Sequence, residues 1–164
     1  MSLANKLIEG DGNLLREAWD RLAPVPGRSL MFSKLIGLMA PYSGTVGARV
    51  VELRQDYCRV ELRDRRSVRN HLTSVHAIAL ANLAELTGNV GLAYSLPDDA
   101  RFIVAGMDME YLKKARGTIV GITDQAMPRS AERCEYEVVV EMRDRVGDLV
   151  ARGRLRTLVG PKKR

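Results

Sequence analysis

Between Val75 and Leu92 the chain carries a single carboxylate, Glu85, in a run with no proline, lysine or arginine. Apolar residues there fall on every side of a helical wheel, the pattern of a helix buried all round. A carboxylate in so dry a place is a candidate general base or nucleophile, because burial and neighbouring groups tune acids for that work. A quieter role is open to it as well. Asn82 at i−3 and Asn89 at i+4 share its face and could hydrogen-bond it in a purely structural arrangement. Upstream stand Asn70, which also suits a turn fixed by its own side chain, His76, which also suits a helix start or the core, and His71, which reads as a loop residue.

The rest of the chain must place that run. Its eighteen residues could just cross a bilayer, but a glutamate, two asparagines, a histidine and two glycines argue against a membrane. Asp11 begins a helical segment with Leu14, Leu15, Ala18, Trp19 and Leu22 at one-turn spacing, and Pro24-Val25-Pro26-Gly27 ends it. Ser29 is placed to cap a second helix whose Phe32, Leu35, Ile36 and Met39 share a face before Pro41. After Ser43-Gly44 the period changes to two. Segments 45–53 and 57–63 read as a hairpin turning at Gln55-Asp56, with Cys58, Val60 and Leu62 on one face. Beyond the central run, strands are expected over 101–113, 118–126, about Cys134 to Met142, and 149–159. In the last of these Arg152, Arg154 and Arg156 oppose Ala151, Leu155 and Thr157. The sum is an α+β chain: a curved antiparallel sheet of about five to six strands wrapped around one long buried helix, with N-terminal helices added outside.

Size and charge narrow the partners. With 164 residues, 46% of them hydrophobic, one folding unit with a substantial core is expected. A net charge of +6 favours anionic partners in general. The cations are scattered into Arg63, Arg65, Arg66 and Arg69, then Lys113, Lys114 and Arg116, then Lys162, Lys163 and Arg164. Aromatics are only 5%, so a nucleic-acid interface is not expected. Cys58 and Cys134 sit in strand alternation and read as reduced core residues. They have no metal-ligand spacing, and no signal peptide is evident, so no metal and a cytoplasmic location are expected.

Strand, strand, buried helix and then a run of strands is the order of the hotdog fold. The sequence resembles the hotdog thioesterases of the phenylacetate-pathway type, and within them a branch of domains of unknown function. The pattern of that family is asparagine, then Gly-Thr-x-His-Gly-Gly, then an acid nine residues after the histidine. Here Asn70 stands six before His76, and Glu85 stands nine after it. The segment from Met109 to Gly117 matches the family's strand ending in basic residues before a glycine turn. Thr73 replaces the first glycine, Ala77-Ile78 the glycine pair, and Glu85 the commoner aspartate. Residues 43–159 carry the resemblance, so 43–164 is taken as the hotdog domain and 1–42 as a helical extension.

The resemblance implies an acyl-thioester hydrolase whose substrate is an acyl-CoA or an acyl-carrier thioester, with coenzyme A entering as part of the substrate and no other cofactor. It implies that the Ala77 N–H is the oxyanion donor, that Glu85 is base or nucleophile, and that Asn70 positions water or the carbonyl while His76 orders the loop or assists. Ser74 and Ile78 would flank the substrate, with Ile78 narrowing the approach that glycine leaves open. Lys113, Lys114 and Arg116, with Arg65, Arg66 or Arg69, would meet the coenzyme A phosphates. Nine helical residues amount to about 900° and roughly 13.5 Å, which sets Ala77 and Glu85 on opposite faces and beyond one carbonyl. A homodimer with shared sites, with dimers of dimers as a further step, is therefore expected. Two other functions stay open: a non-catalytic acyl-thioester-binding protein, favoured by the absent glycines, and a hydroxyacyl-thioester dehydratase, suggested by His71 and Glu85 lying fourteen apart. Leu80, Leu83, Met107 and Ile119 are candidates for lining an acyl tunnel, although core packing predicts the same residues.

Overall fold

The computed structural model describes residues 12–162. Alternation sets its frame. Val50 and Leu53 in β1 (Arg49–Arg54) and Cys58, Val60 and Leu62 in β2 (Tyr57–Leu62) are buried, and the two strands pair antiparallel around the Gln55-Asp56 turn. Four more strands follow the helix: β3 (Ala100–Tyr111), β4 (Ile119–Asp124), β5 (Cys134–Arg143) and β6 (Leu149–Pro161). All pairings are antiparallel, in one six-stranded sheet of order β1-β2-β4-β5-β6-β3. The two edges are therefore β1 and the twelve-residue β3. This is the hotdog arrangement expected from the strand order.

Before the hairpin stand α1 (Leu14–Arg21), α2 (Arg28–Met39) and the single turn α3 (Pro41–Gly44). The expected start at Asp11 lies outside the described residues. Asn13 caps α1, accepting from Arg16 N, and its NH2 donates to Ala93 O at 2.7 Å, which ties α1 to the far end of the central helix. Ser29 is not the cap of α2. Gly27 takes that place with φ 80°, a left-handed value that glycine adopts without strain. Ser29 instead donates to Val50 O, and Ser33 Oγ accepts from Val50 N at 2.9 Å, so two serines of α2 cover the edge of β1. Trp19 and Phe32 meet edge to face at 5.0 Å between α1 and α2.

The central helix, α4, runs Ala77–Ser95. Leu83, Ala84, Leu92 and Gly91 press on the sheet with no exposed surface or nearly none. Small residues permit the approach: a Cβ on Gly153 of β6 would lie 2.6 Å from Ala84 Cβ. The helix is not buried all round, however. Ile78 is 54% exposed, and Glu85 and Asn89 are half-buried, because the sheet covers one side and leaves the strip Ile78-Asn82-Glu85-Asn89 facing away from it. Cys58 is buried as expected, but Cys134 is exposed: it is the first residue of β5, opposite Val159. Among the described residues no helix is long and apolar enough to cross a membrane. Lys163 and Arg164 lie outside the described residues.

Candidate active site

The start of α4 is held by its own sequence. His76 is the N-cap, and its Nδ1 accepts from Ile78 N at 3.0 Å, so that nitrogen carries no proton in this arrangement. The Ala77 N–H finds no partner among the described residues and stays open at the positive end of the helix dipole. Just before it, Asn70 organises a tight loop. Its Oδ1 accepts from Leu72 N at 2.9 Å, Ser74 N at 3.2 Å and Ser74 Oγ at 3.1 Å, while its Nδ2 bonds nothing among the described residues. Ser74 is buried and commits its hydroxyl to this loop. Thr73 sits at φ 55°, where the family pattern has glycine. His71 is exposed on the same loop.

Two basic segments are stitched to the helix start. His76 N donates to Val68 O and Val75 N to Ala115 O, both at 2.8 Å. Asp64 joins the segments to each other, accepting from Arg69 Nε at 2.6 Å and from Gly117 N at 2.9 Å. The Arg69 guanidinium, with help from the Gly117 amide, holds the Asp64 carboxyl below its ordinary value. Arg65, Arg66, Lys114 and Arg116, on the two segments so joined, have no acidic partner among the described residues; the Arg65 guanidinium donates to Thr45 O, and Lys113 is ion-paired with Asp148. Tyr111, a residue not singled out from sequence as a site residue, donates its hydroxyl to Ala77 O at 3.1 Å, and burial pushes its phenol upward. It lies at the end of β3, and only the folded sheet brings that end to the helix start.

Glu85 is half-buried and makes no hydrogen bond or ion pair among the described residues. The expected support from Asn82 and Asn89 is not formed: both polar atoms of Asn82, and Oδ1 of Asn89, lack partners. The expected opposition of Ala77 and Glu85 is also corrected. Eight residues separate them, about 80° of turn and about 12 Å of rise, so distance along the axis rather than facing keeps them apart. Of the candidate tunnel residues, Leu80, Leu83 and Ile119 are core at 3%, 0% and 0% exposed, and Met107 stands 40% exposed on β3. Two cavities adjoin the outer strip. One, of about 180 Å³, lies by His76 and Asn82; the other, of about 280 Å³, lies by Leu86, Asn89 and Ala93 under α1 and α2. No three His, Cys, Asp or Glu side chains are grouped to hold a metal among the described residues.

The chain as a whole has recognisable relatives. Residues 28–159 match the family profile described as Domain of unknown function (DUF4442). No curated protein matches the chain. Among solved structures, a genomics crystal structure shares 32% identity at a TM-score of 0.76, covering 90% of this chain and 99% of that one. A Pseudomonas aeruginosa protein of unknown function, titled a probable thioesterase, shares 21% identity at 0.67, covering 90% and 94%. A Haemophilus influenzae thioesterase shares 15% at 0.68, covering 80% and 90%. At these last identities the likeness concerns the fold.

Proposed function

The chain belongs to the DUF4442 family, and from that premise and the geometry of α4 we propose that it hydrolyses acyl thioesters, as its thioesterase fold-mates do by name. The observation that carries this reading is the half-buried Glu85 carboxylate, unpartnered among the described residues, on the open strip of a helix whose first N–H is also unpartnered there. A thioester carbonyl placed at that N–H gains a donor aimed at its developing negative charge, reinforced by the helix dipole. Glu85 takes a proton from water as the water oxygen adds to the carbonyl carbon. The tetrahedral adduct then expels the thiolate, which leaves as thiol with the proton that Glu85 took. Direct attack by Glu85, giving an anhydride that water cleaves, reaches the same products. Asn70 presents its free NH2 to water or carbonyl, and His76 holds the first turn.

Because about 12 Å separates the Ala77 amide from Glu85 within one chain, the two act on one carbonyl only across a two-fold dimer, Glu85 of one protomer beside Asn70, His76 and Ala77 of its partner. Lys114 and Arg116, with Arg65 and Arg66, supply the cations that a coenzyme A tail requires. The test is thiol release from short, aromatic and long acyl-CoAs. Wild-type turnover and a loss of about 100-fold or more in Glu85→Gln are expected. No hydrolysis by the wild type, or full activity in the variant, ends the reading; tight binding without turnover would identify an acyl-thioester-binding protein instead.

A further inference from the structure

Asn82 is 5% exposed, and neither its Oδ1 nor its Nδ2 has a hydrogen-bond partner. Natural proteins rarely leave a buried amide wholly unpaired, since nothing then offsets its lost hydration. It is one of the buried residues lining the cavity of about 180 Å³, whose walls also include Tyr42, Val68, Arg69, His76 and Ile78. The charge in that wall is already answered, because Arg69 is bound to Asp64 at 2.6 Å. His76 Nδ1 is committed to Ile78 N. With its own donor and acceptor both open, Asn82 suits a group able both to give and to accept a hydrogen bond, as an amide is.

Position narrows the ligand further. The cavity wall Ser67-Val68-Arg69 continues the basic run of Arg63, Arg65 and Arg66, and the Arg65 guanidinium donates to Thr45 O, next in sequence to the wall residue Val46, so a cation stands near the cavity. Asn82 lies five residues beyond Ala77, about 7.5 Å along the helix axis, a span that a thiol arm leaving a carbonyl at the helix start can cover. A thiol arm with an amide two methylenes from sulfur and phosphate farther out is pantetheine, carried by coenzyme A and by acyl-carrier proteins alike. We propose that Asn82 is the specificity-determining residue for the leaving group: its carboxamide, in the lining of the cavity beside the helix start, pairs with the amide of the thiol arm. Tyr42 and Ile78, 68% and 54% exposed, are the most exposed of the named lining residues, and pairing with the buried carboxamide requires them to move aside. This rests on the thioesterase reading.

The test holds the acyl group constant and changes only the thiol. The N-acetylcysteamine thioester keeps the arm's first amide, and the S-pentyl thioester matches its length without it. Wild type is expected to favour the former in kcat/KM by about 10-fold or more, the effect of one hydrogen bond, and Asn82→Leu to bring the ratio near one by losing activity on the amide substrate alone. No preference in wild type, or an undiminished preference in Asn82→Leu, overturns the proposal. Asn82→Ser gives the same ratio test should the leucine variant not fold. If wild type cleaves no thioester, the hydrolase reading falls by itself, and binding decides the present one. S-butyl-coenzyme A, a thioether that cannot be hydrolysed, must raise the melting temperature of wild type more than that of Asn82→Leu, and equal shifts or none overturn the proposal.

Discussion

Asn70 uses its side-chain oxygen three times within its own loop and leaves its NH2 group open. The two ends of this amide can therefore be tested apart. Asn70→Asp keeps an acceptor for Leu72 N and Ser74 but removes both donors, so melting by circular dichroism should stay within a few degrees while kcat falls about 100-fold. Asn70→Ala removes the acceptor too, and should also lose about 1–3 kcal/mol of stability. An equally active Asn70→Asp would make Asn70 a loop-former and nothing more. The cysteines differ just as plainly. Burial pushes the Cys58 thiol far up and closes it to reagents, whereas Cys134 is exposed. Iodoacetamide under native conditions should label Cys134 alone, and peptide mapping that found Cys58 modified would show that the β2 core opens readily. Alternation alone put both cysteines in the core; it cannot tell a strand's middle from its first residue, which is where Cys134 sits.

At the scale of elements, the helix start is positioned by loops rather than by the helix. Asp64 bridges the Arg69 and Gly117 segments, and its carboxyl is held low in the folded protein. A depressed folded value means that this bridge stabilises above the ordinary carboxylate range and fades as pH falls through the folded value. Asp64→Asn should therefore melt lower than wild type at pH 7, with the gap closing below about pH 4. A constant gap across that range would show that the charge is irrelevant to the bridge. The helix body has a different demand: Gly153→Ala would bring a Cβ to 2.6 Å from Ala84 Cβ, which the rigid helix cannot avoid, so a loss of about 1–3 kcal/mol is expected in urea unfolding. The strands and α4 were legible because period two and an uncharged, proline-free run are local signals. The role of Ser29 was not, since its partner is Val50 on another element. Tyr111 was missed for the same reason: its hydroxyl meets Ala77 through the fold, 34 residues away in sequence.

For the whole molecule, the order of elements was readable while the completeness of the site was not. One edge of the sheet is β3, twelve residues long, with Ile103 65%, Met107 40% and Tyr111 48% exposed; Met107 and Tyr111 share the helix-facing side, and Ile103 lies on the other. An edge so long and apolar invites pairing with a second copy. If the two-fold site is shared, each Glu85 serves the partner's helix start, and two dead variants can rescue each other. Glu85→Gln and Asn70→Asp homodimers are both expected to be inactive. A heterodimer of the two carries both substitutions in one site and neither in the other. Equal mixing with subunit exchange then makes half of the dimers mixed, each with one intact site, and should restore about a quarter of wild-type activity. A site confined to one chain has no such route, because every protomer in the mixture keeps its own lesion. Recovery after unfolding and refolding the mixture, absent when the variants are assayed without exchange, would place Glu85 across the subunit boundary; no recovery despite exchange proven by mass labelling would confine the chemistry to a single chain and require α4 to act over about 12 Å unaided.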